Sequence, residues 1–477
     1  MELNKTYIYD RATVSEALKA IDINGLGVVF IVNDQIKVLG LLTDGDIRRA
    51  LLKGISIEEG VLTIMNIKFK SYHYKTIYQE ISNAIDKKHK VIPLVDDQGK
   101  LVDYATSKRI NNIPIAIPSI GDEELNNVID CVKSGWISSQ GSYVIDFEKE
   151  FSRLHENRFA LSVSNGTVAL HLALVALGIG KGDEVIVPDL TFAASINSII
   201  HSGATPVLID VDRRTWNIDI QKITSLITPK TKAILPVHLY GNPCQMDDIV
   251  SIANEFDLKI IEDCAESLGS LYNNKPLGIY GDAATYSFFG NKTITTGEGG
   301  MILFKDEEIY QKAKILRDHG MSKEKRYWHD VVGYNYRLTN LQASIGVAQL
   351  AKLESFVKRK IDIANEYRFF FSQYDFFEAQ NELNNSKSSY WLFSILLNDN
   401  APLKKKEFMD GLKLNGIDTR PIFYPLHLMP VYKDYSKTRL NNSIELSCQG
   451  ISLPSYVGIS DKEIQYIFMT VKTLINV

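Results

Sequence analysis

The chain has 477 residues, of which 45% are hydrophobic, and a formal net charge of −4 at pH 7. That length is too much for one ordinary core and calls for two or three domains, while the near-neutral charge gives no basic field to draw nucleic acid or anionic lipid. Cys131, Cys244, Cys264 and Cys448 show neither CxxC nor His-rich spacing, so no metal site and no disulfide framework are expected.

The chain opens without a basic segment leading into an apolar core, and no apolar run approaches the roughly 20 residues that span a bilayer. A soluble, cytoplasmic protein is expected. The first domain covers residues 1–112. Thr13–Ala20 has helical spacing with Thr13 as N-cap, and GVVFIV and KVLGLLT read as two strands turning at Asn33 and Asp34. DGDIRRALLKG starts a second helix. The plan then repeats: TIYQEISNAIDKKH is helical, VIPLVDD and KLVDYAT are strands, and SKRI follows.

This doubled helix, strand, strand, helix unit resembles a pair of CBS domains, with GLLTDGDIRRAL close to their strand-to-helix signature. The resemblance implies a nucleotide site in which Thr43 meets phosphate and Asp46 accepts ribose hydroxyls, as a helix N-terminus and a carboxylate allow. In the second repeat Thr106 is kept, but Arg109 replaces the acid and Asp103 the glycine, so at most one competent site per pair is expected. A plainer reading stays open, in which Asp46 is a first-turn cap acid and the module only packs or dimerises. If a nucleotide does bind there, it is expected to regulate the chemistry of the rest of the chain.

Pro114 and Pro118 in NNIPIAIPSIGDEE mark the boundary to a large domain, 113–350. GDEELNNVIDCVKSG is an amphipathic helix, and WISSQGSYVIDFEKEFSRLH a loop and another. From Phe159 short apolar strands alternate with helices, which predicts an α/β fold with a mostly parallel sheet covered on both faces and ligands at the strands' carboxyl ends.

Three sets of polar residues fall at such ends. Ser164, Asn165, Gly166 and Thr167 form a turn whose amides suit a phosphate, although the same residues make an ordinary helix cap. Asp263 ends the apolar strand LKII beside Glu262 and Glu266, where an acid needs a positive or proton-donating partner; a structural carboxylate bonded to amides is the alternative. Lys292 sits between the aromatic TYSFF and the glycine-rich TTGEGG, and burial there lowers an amine's pKa as Schiff-base chemistry requires. A phosphate turn, a strand-end acid and an activated lysine, in that order, are what pyridoxal phosphate needs.

SNGTVALHLAL, PDLTFAAS, VHLYG, EDCAESLGS, SFFGNKTITTGEGGM, GYNYRLTNLQASIG and TRPIFYPLH together resemble the DegT/DnrJ/EryC1/StrS sugar aminotransferases, across nearly all of the chain after residue 112. The resemblance implies the fold-type I aminotransferase architecture, a homodimer, and Lys292 as the residue bonded to pyridoxal phosphate. By the same resemblance Asp263 partners the pyridine nitrogen, Ser287, Gly166 and Thr167 bind the phosphate, and Phe192 stacks on the ring. Asn335 matches the asparagine that reaches the phosphate from the partner subunit. Glu266 stands where many members have Gln or His and is counted with the cofactor contacts. His238, His427, Arg337 and Arg420 are candidates for the substrate pocket, with backbone-bonded histidines and surface-paired arginines as alternatives. Tyr327 and Trp328 are read as dimer core or as a base-stacking surface.

The implied reaction moves an amino group from L-glutamate to the C4 ketone of a nucleotide-linked 4-keto-6-deoxy sugar, for surface polysaccharide synthesis. GDP-4-keto-6-deoxymannose is the first choice and a UDP-linked 4-keto sugar the second. A related dehydrase has histidine in place of the lysine, so Lys292 argues for amino transfer; a binding protein without catalysis would need neither Lys292 nor Asp263. A smaller domain, 351–477, completes the chain: a helix through RFFF, the strand YWLFSILL, a polar loop QNELNNSKSS, helix and strand in EFMDGLKLNGIDTRPIFYP, and a helix capped by Ser460.

Overall fold

The computed structural model describes residues 3–74, 76, 78–86, 89–106, 113–322 and 324–476. The expected SKRI segment, Arg109 with it, and the domain boundary at residue 112 lie outside them. The chain divides into two compact units, one of 1–113 with 410–418 and one of 114–409 with 419–477.

The first unit is a tandem repeat. Strand Tyr7–Tyr9 runs parallel to Val28–Val32, which pairs antiparallel with Val38–Thr43. Tyr72–His73, Val91–Val95 and Leu101–Thr106 repeat this arrangement. The repeat extends to a register shift, between Ile31 and Val32 in one copy and between Leu94 and Val95 in the other. A bulge kept at equivalent positions is an inherited design feature rather than a defect. Helix Val14–Asn24 buries Val14, Ala17 and Ile21, spaced three and four apart, against Val29, Ile31 and Leu42. Thr13 caps it as expected, with Glu16 answering in a capping box. Residues 410–418, expected in the C-terminal domain, group with this unit through the Ile113 and Gly416 backbones.

The second unit is built on a seven-stranded sheet in the order Phe159–Val163, Gly300–Phe304, Ala283–Ser287, Lys259–Asp263, Thr231–Ile234, Glu184–Pro188, Thr205–Ile209. All neighbours are parallel except Gly300–Phe304, which runs antiparallel to both of its partners. The expected, mostly parallel sheet is therefore present. Two apolar cores cover its faces, one around Phe147, Phe151 and Phe288 and the other around Leu161, Leu172 and Phe304. Burial on both faces is why these strands read as continuous apolar runs rather than alternating ones. A smaller antiparallel sheet, Phe377–Ala379, Phe393–Leu397, Gly450–Leu453 and Arg420–Pro421, follows the long helix Leu353–Phe371. Among the described residues no helix is long and apolar enough to cross a membrane.

Candidate active site

The parallel strands end on one side of the sheet, and a cavity of about 740 Å³ opens there. Gly166 and Thr167, Phe192, Asp263, Glu266, Ser287, Lys292 and Arg420 all line it. Residues more than 250 positions apart in sequence thus share one wall because each follows, or closes, a strand of the sheets just described.

Asp263 ends the strand Lys259–Asp263 and is buried. The Ser195 hydroxyl donates to its Oδ2 at 2.8 Å and the Ala265 amide to its Oδ1 at 3.1 Å. Burial pushes this carboxyl above its ordinary range in spite of those donors. Helix Gly166–Ala176 begins with Asn165 as cap, its side chain accepting from the Val168 amide at 3.0 Å. The cap reading of this turn is thus correct for Asn165, and the first amides of the helix, which have no intrahelical acceptor, remain for a ligand. Gly166 passes so close to the neighbouring strand that a Cβ on it would lie 2.8 Å from Ser287 Cβ.

Lys292 follows the strand Ala283–Ser287, and its side chain is 14% exposed. Burial lowers its amine from the ordinary lysine range; Glu266 and Asp263 oppose that shift and Arg420 adds to it. Nζ lies 3.9 Å from Glu266 Oε1. Glu266 Oε2 accepts from the Tyr240 amide at 2.8 Å, and burial pushes this carboxyl up to about 7 against the pull of Lys292. Phe192 is 59% exposed, an aromatic face turned to the cavity with its ring 6.0 Å from that of Phe423.

Other candidates lie elsewhere. His238, expected in the sugar pocket, is fully buried and does not line the cavity: its Nδ1 accepts from the Cys244 amide at 3.0 Å, which leaves Nε2 to donate to Glu262 at 3.3 Å. The backbone-bonded alternative holds for it. His427 is also absent from the cavity wall; its Nδ1 meets Asp189 Oδ2 at 2.7 Å, and the Ser443 hydroxyl donates to the same oxygen at 2.6 Å. Arg337 pairs with Asp318. Asn335 is exposed and does not line the cavity of its own chain. Tyr327 and Trp328 are 76% and 52% exposed in the single chain.

His238, Glu262 and Cys264 bring potential metal-binding atoms within 4.8 Å of one another. Glu262 already accepts the Gly278, Tyr280 and Gly281 amides as well as His238, so its lone pairs are committed. The first unit shows a similar commitment. Thr43 and Asp46 form a reciprocal capping box, with the Thr43 hydroxyl donating to Asp46 Oδ2 at 2.6 Å, and Arg49 pairs with Asp46 Oδ1 at 2.7 Å. The helix-cap reading of Asp46 describes this arrangement.

Sequence reasoning passed over Trp391, Ser195, Asn291 and Phe423, which also line the cavity. Trp391 sits in YWLFSILL, whose apolar pattern signals only a strand. An isolated tryptophan at a strand entry was the one available hint.

The chain matches the DegT/DnrJ/EryC1/StrS aminotransferase family over residues 118–472 and the CBS domain over residues 2–53. It is 45% identical to a GDP-perosamine synthase of Escherichia coli O157:H7, over 74% of this chain and 96% of that one. Among solved structures, the PLP form of a Streptococcus pneumoniae protein classed as a sugar aminotransferase superposes with a TM-score of 0.72 at 31% identity, over 76% of this chain and 99% of that one. A GDP-4-keto-6-deoxymannose-3-dehydratase variant with bound GDP-perosamine does so with a TM-score of 0.72 at 29% identity, over 76% and 100%.

Proposed function

The chain belongs to the DegT/DnrJ/EryC1/StrS aminotransferase family, and from that premise we propose that it uses pyridoxal phosphate to transfer an amino group from L-glutamate to the C4 ketone of GDP-4-keto-6-deoxymannose, giving GDP-perosamine. The single observation that carries this reading is the cavity wall on which Lys292, Asp263 and the Gly166–Thr167 turn meet. The 45% identical GDP-perosamine synthase supports the choice of sugar.

The residues present fit the cofactor. The cavity is large enough for a cofactor and a sugar, Phe192 offers an exposed flat face, and Asn291 Oδ1 is buried on the wall without a hydrogen-bond partner. Gly166, Thr167 and Ser287 would hold the phosphate, with Asn335 of the partner subunit completing the contact in a homodimer. When bound, pyridoxal phosphate supplies a ring that withdraws electrons from the carbon bearing the transferred nitrogen.

Asp263, whose direction Ser195 and the Ala265 amide fix, would keep a proton on the pyridine nitrogen. Lys292 Nζ would take a proton from the donor's α-carbon and deliver it to the cofactor carbon that bears the nitrogen, then in the second half-reaction move a proton from that carbon to the sugar's C4, a task suited to an amine whose proton affinity burial has lowered. Trp391, Phe192 and Phe423 give the wall beside the amine and the acid an apolar lining. Ping-pong kinetics are expected, since the amino group leaves the donor before the sugar takes it up.

Glutamate-dependent amination of GDP-linked and UDP-linked 4-keto sugars, assayed side by side, tests the substrate. The GDP sugar should react at the higher kcat/KM; preference for the UDP sugar would replace it. Lys292→Ala should lose turnover by several orders of magnitude together with the visible-range absorbance of the bound cofactor. A variant that keeps both sinks the assignment.

A further inference from the structure

Lys292 must let go of the group it carries and return to it in every cycle, so the place where its free amine waits bears on rate; this step rests on the role proposed above for Lys292. Its Nζ lies 3.8 Å from the centre of the Trp391 ring. The same indole donates from Nε1 to the Asn291 carbonyl at 2.7 Å, the peptide that leads into Lys292. One side chain therefore grips the lysine twice, its main chain through an N–H and its charged head through a ring face.

The indole is itself held in place. Tyr240 lies parallel to it, ring centres 6.0 Å apart and planes 12° from parallel. The buried Lys360, on the helix Leu353–Phe371, donates to the Trp391 carbonyl at 3.0 Å and to the Ser455 carbonyl at 2.9 Å. Gly241, at φ +96°, passes so close that a Cβ there would meet Tyr390 N at 2.8 Å and Trp391 N at 3.1 Å. A tryptophan clamped from its backbone and from one ring neighbour has few rotamers left to it, and the amine inherits that order.

We propose that Trp391 is a positioning residue that holds the free Lys292 amine within reach of the reacting carbon between its departure and its return. Its ring face receives the ammonium, and its N–H keeps the Asn291 peptide, and so the root of the side chain, from turning away.

Two measurements test this. In cofactor-free, full-length protein, reductive methylation of Lys292 followed by peptide mass spectrometry across pH gives the midpoint of the free amine. The ring face favours the ammonium, so Trp391→Leu should move that midpoint down by about half a pH unit or more, and Trp391→Phe, which keeps a face, by less. In the loaded protein, the glutamate half-reaction is followed by cofactor absorbance with no sugar present. α-Deuterated L-glutamate should then give a larger isotope effect in Trp391→Leu than in the wild type, because a straying amine slows the proton step. A midpoint that stays put or rises, or an unchanged isotope effect, overturns the proposal. Should the leucine variant not fold, Trp391→Phe decides: it loses the N–H to Asn291, so its isotope effect should rise, and an effect equal to the wild type's overturns the proposal. Retention of the absorbance band by Lys292→Ala would instead overturn the assignment of Lys292 itself.

Discussion

Glu266 couples the cavity to pH at the scale of one side chain. Its carboxyl rises from 4.5 to about 7 on folding because burial disfavours the charge. Between those values the folded protein holds a proton that the unfolded chain has lost, so stability falls as pH rises through the window and the whole cost is present above it, on the order of 3 kcal/mol. Glu266→Gln removes that titration. In cofactor-free protein, urea unfolding should show the variant gaining stability over the wild type at pH 8 relative to pH 5, and equal differences at both values would count against it. The sequence shows an acid three residues after Asp263; only the fold reveals that Lys292 Nζ is 3.9 Å away.

At the scale of elements, a turn read from sequence as either cap or phosphate site is a cap at Asn165, and its proposed phosphate role is tested at Gly166. Asn165 caps the helix with its side chain, while Gly166 lets the turn lie against Ser287. Gly166→Ala places a methyl 2.8 Å from Ser287 Cβ, so the strand end and the turn must separate. Cofactor affinity, measured by absorbance titration, should drop at least tenfold, about 1.4 kcal/mol, with fold stability much less affected. The Thr43 and Asp46 pair invites the opposite expectation. Both side chains are spent on the capping box and on Arg49, so Asp46→Ala should cost the first unit about 1 kcal/mol in denaturant unfolding. Calorimetry with adenine and guanine nucleotides separates the readings: binding by the wild type that the variant lacks would show that the box opens for a ligand. Strand and helix positions in this unit were legible because apolar periodicity and the Thr13 cap are local signals. The short strand Tyr7–Tyr9 was missed because three residues carry no period to read.

For the whole molecule, the expected homodimer leads to a test of sharing. Asn335 is exposed and away from its own chain's cavity, as a residue serving the partner subunit would be. Lys292→Ala and Asn335→Ala chains, each inactive at limiting cofactor, should regain about a quarter of wild-type activity when mixed and allowed to exchange subunits, because half of the dimers then hold one intact site. Mixtures that stay as inactive as their components would show that Asn335 does not act across the dimer. Tyr327, Trp328 and Val332 are all exposed in the single chain.

The chemistry was written in the order of residues along the chain. A glycine turn, an acid at the end of an apolar strand and a lysine between aromatic and glycine-rich runs are local patterns, since strand ends and turns depend on near neighbours. Which polar residues meet is a different matter. His238 and Arg420 occupy similar motifs, yet one is sealed against Glu262 and the other lines the cavity. Trp391 reads as one more apolar position in a strand and comes to lie over the Lys292 amine. Contacts between segments 100 residues apart depend on how sheets and helices pack, and no periodicity in the chain encodes that; the tertiary structure alone decided them.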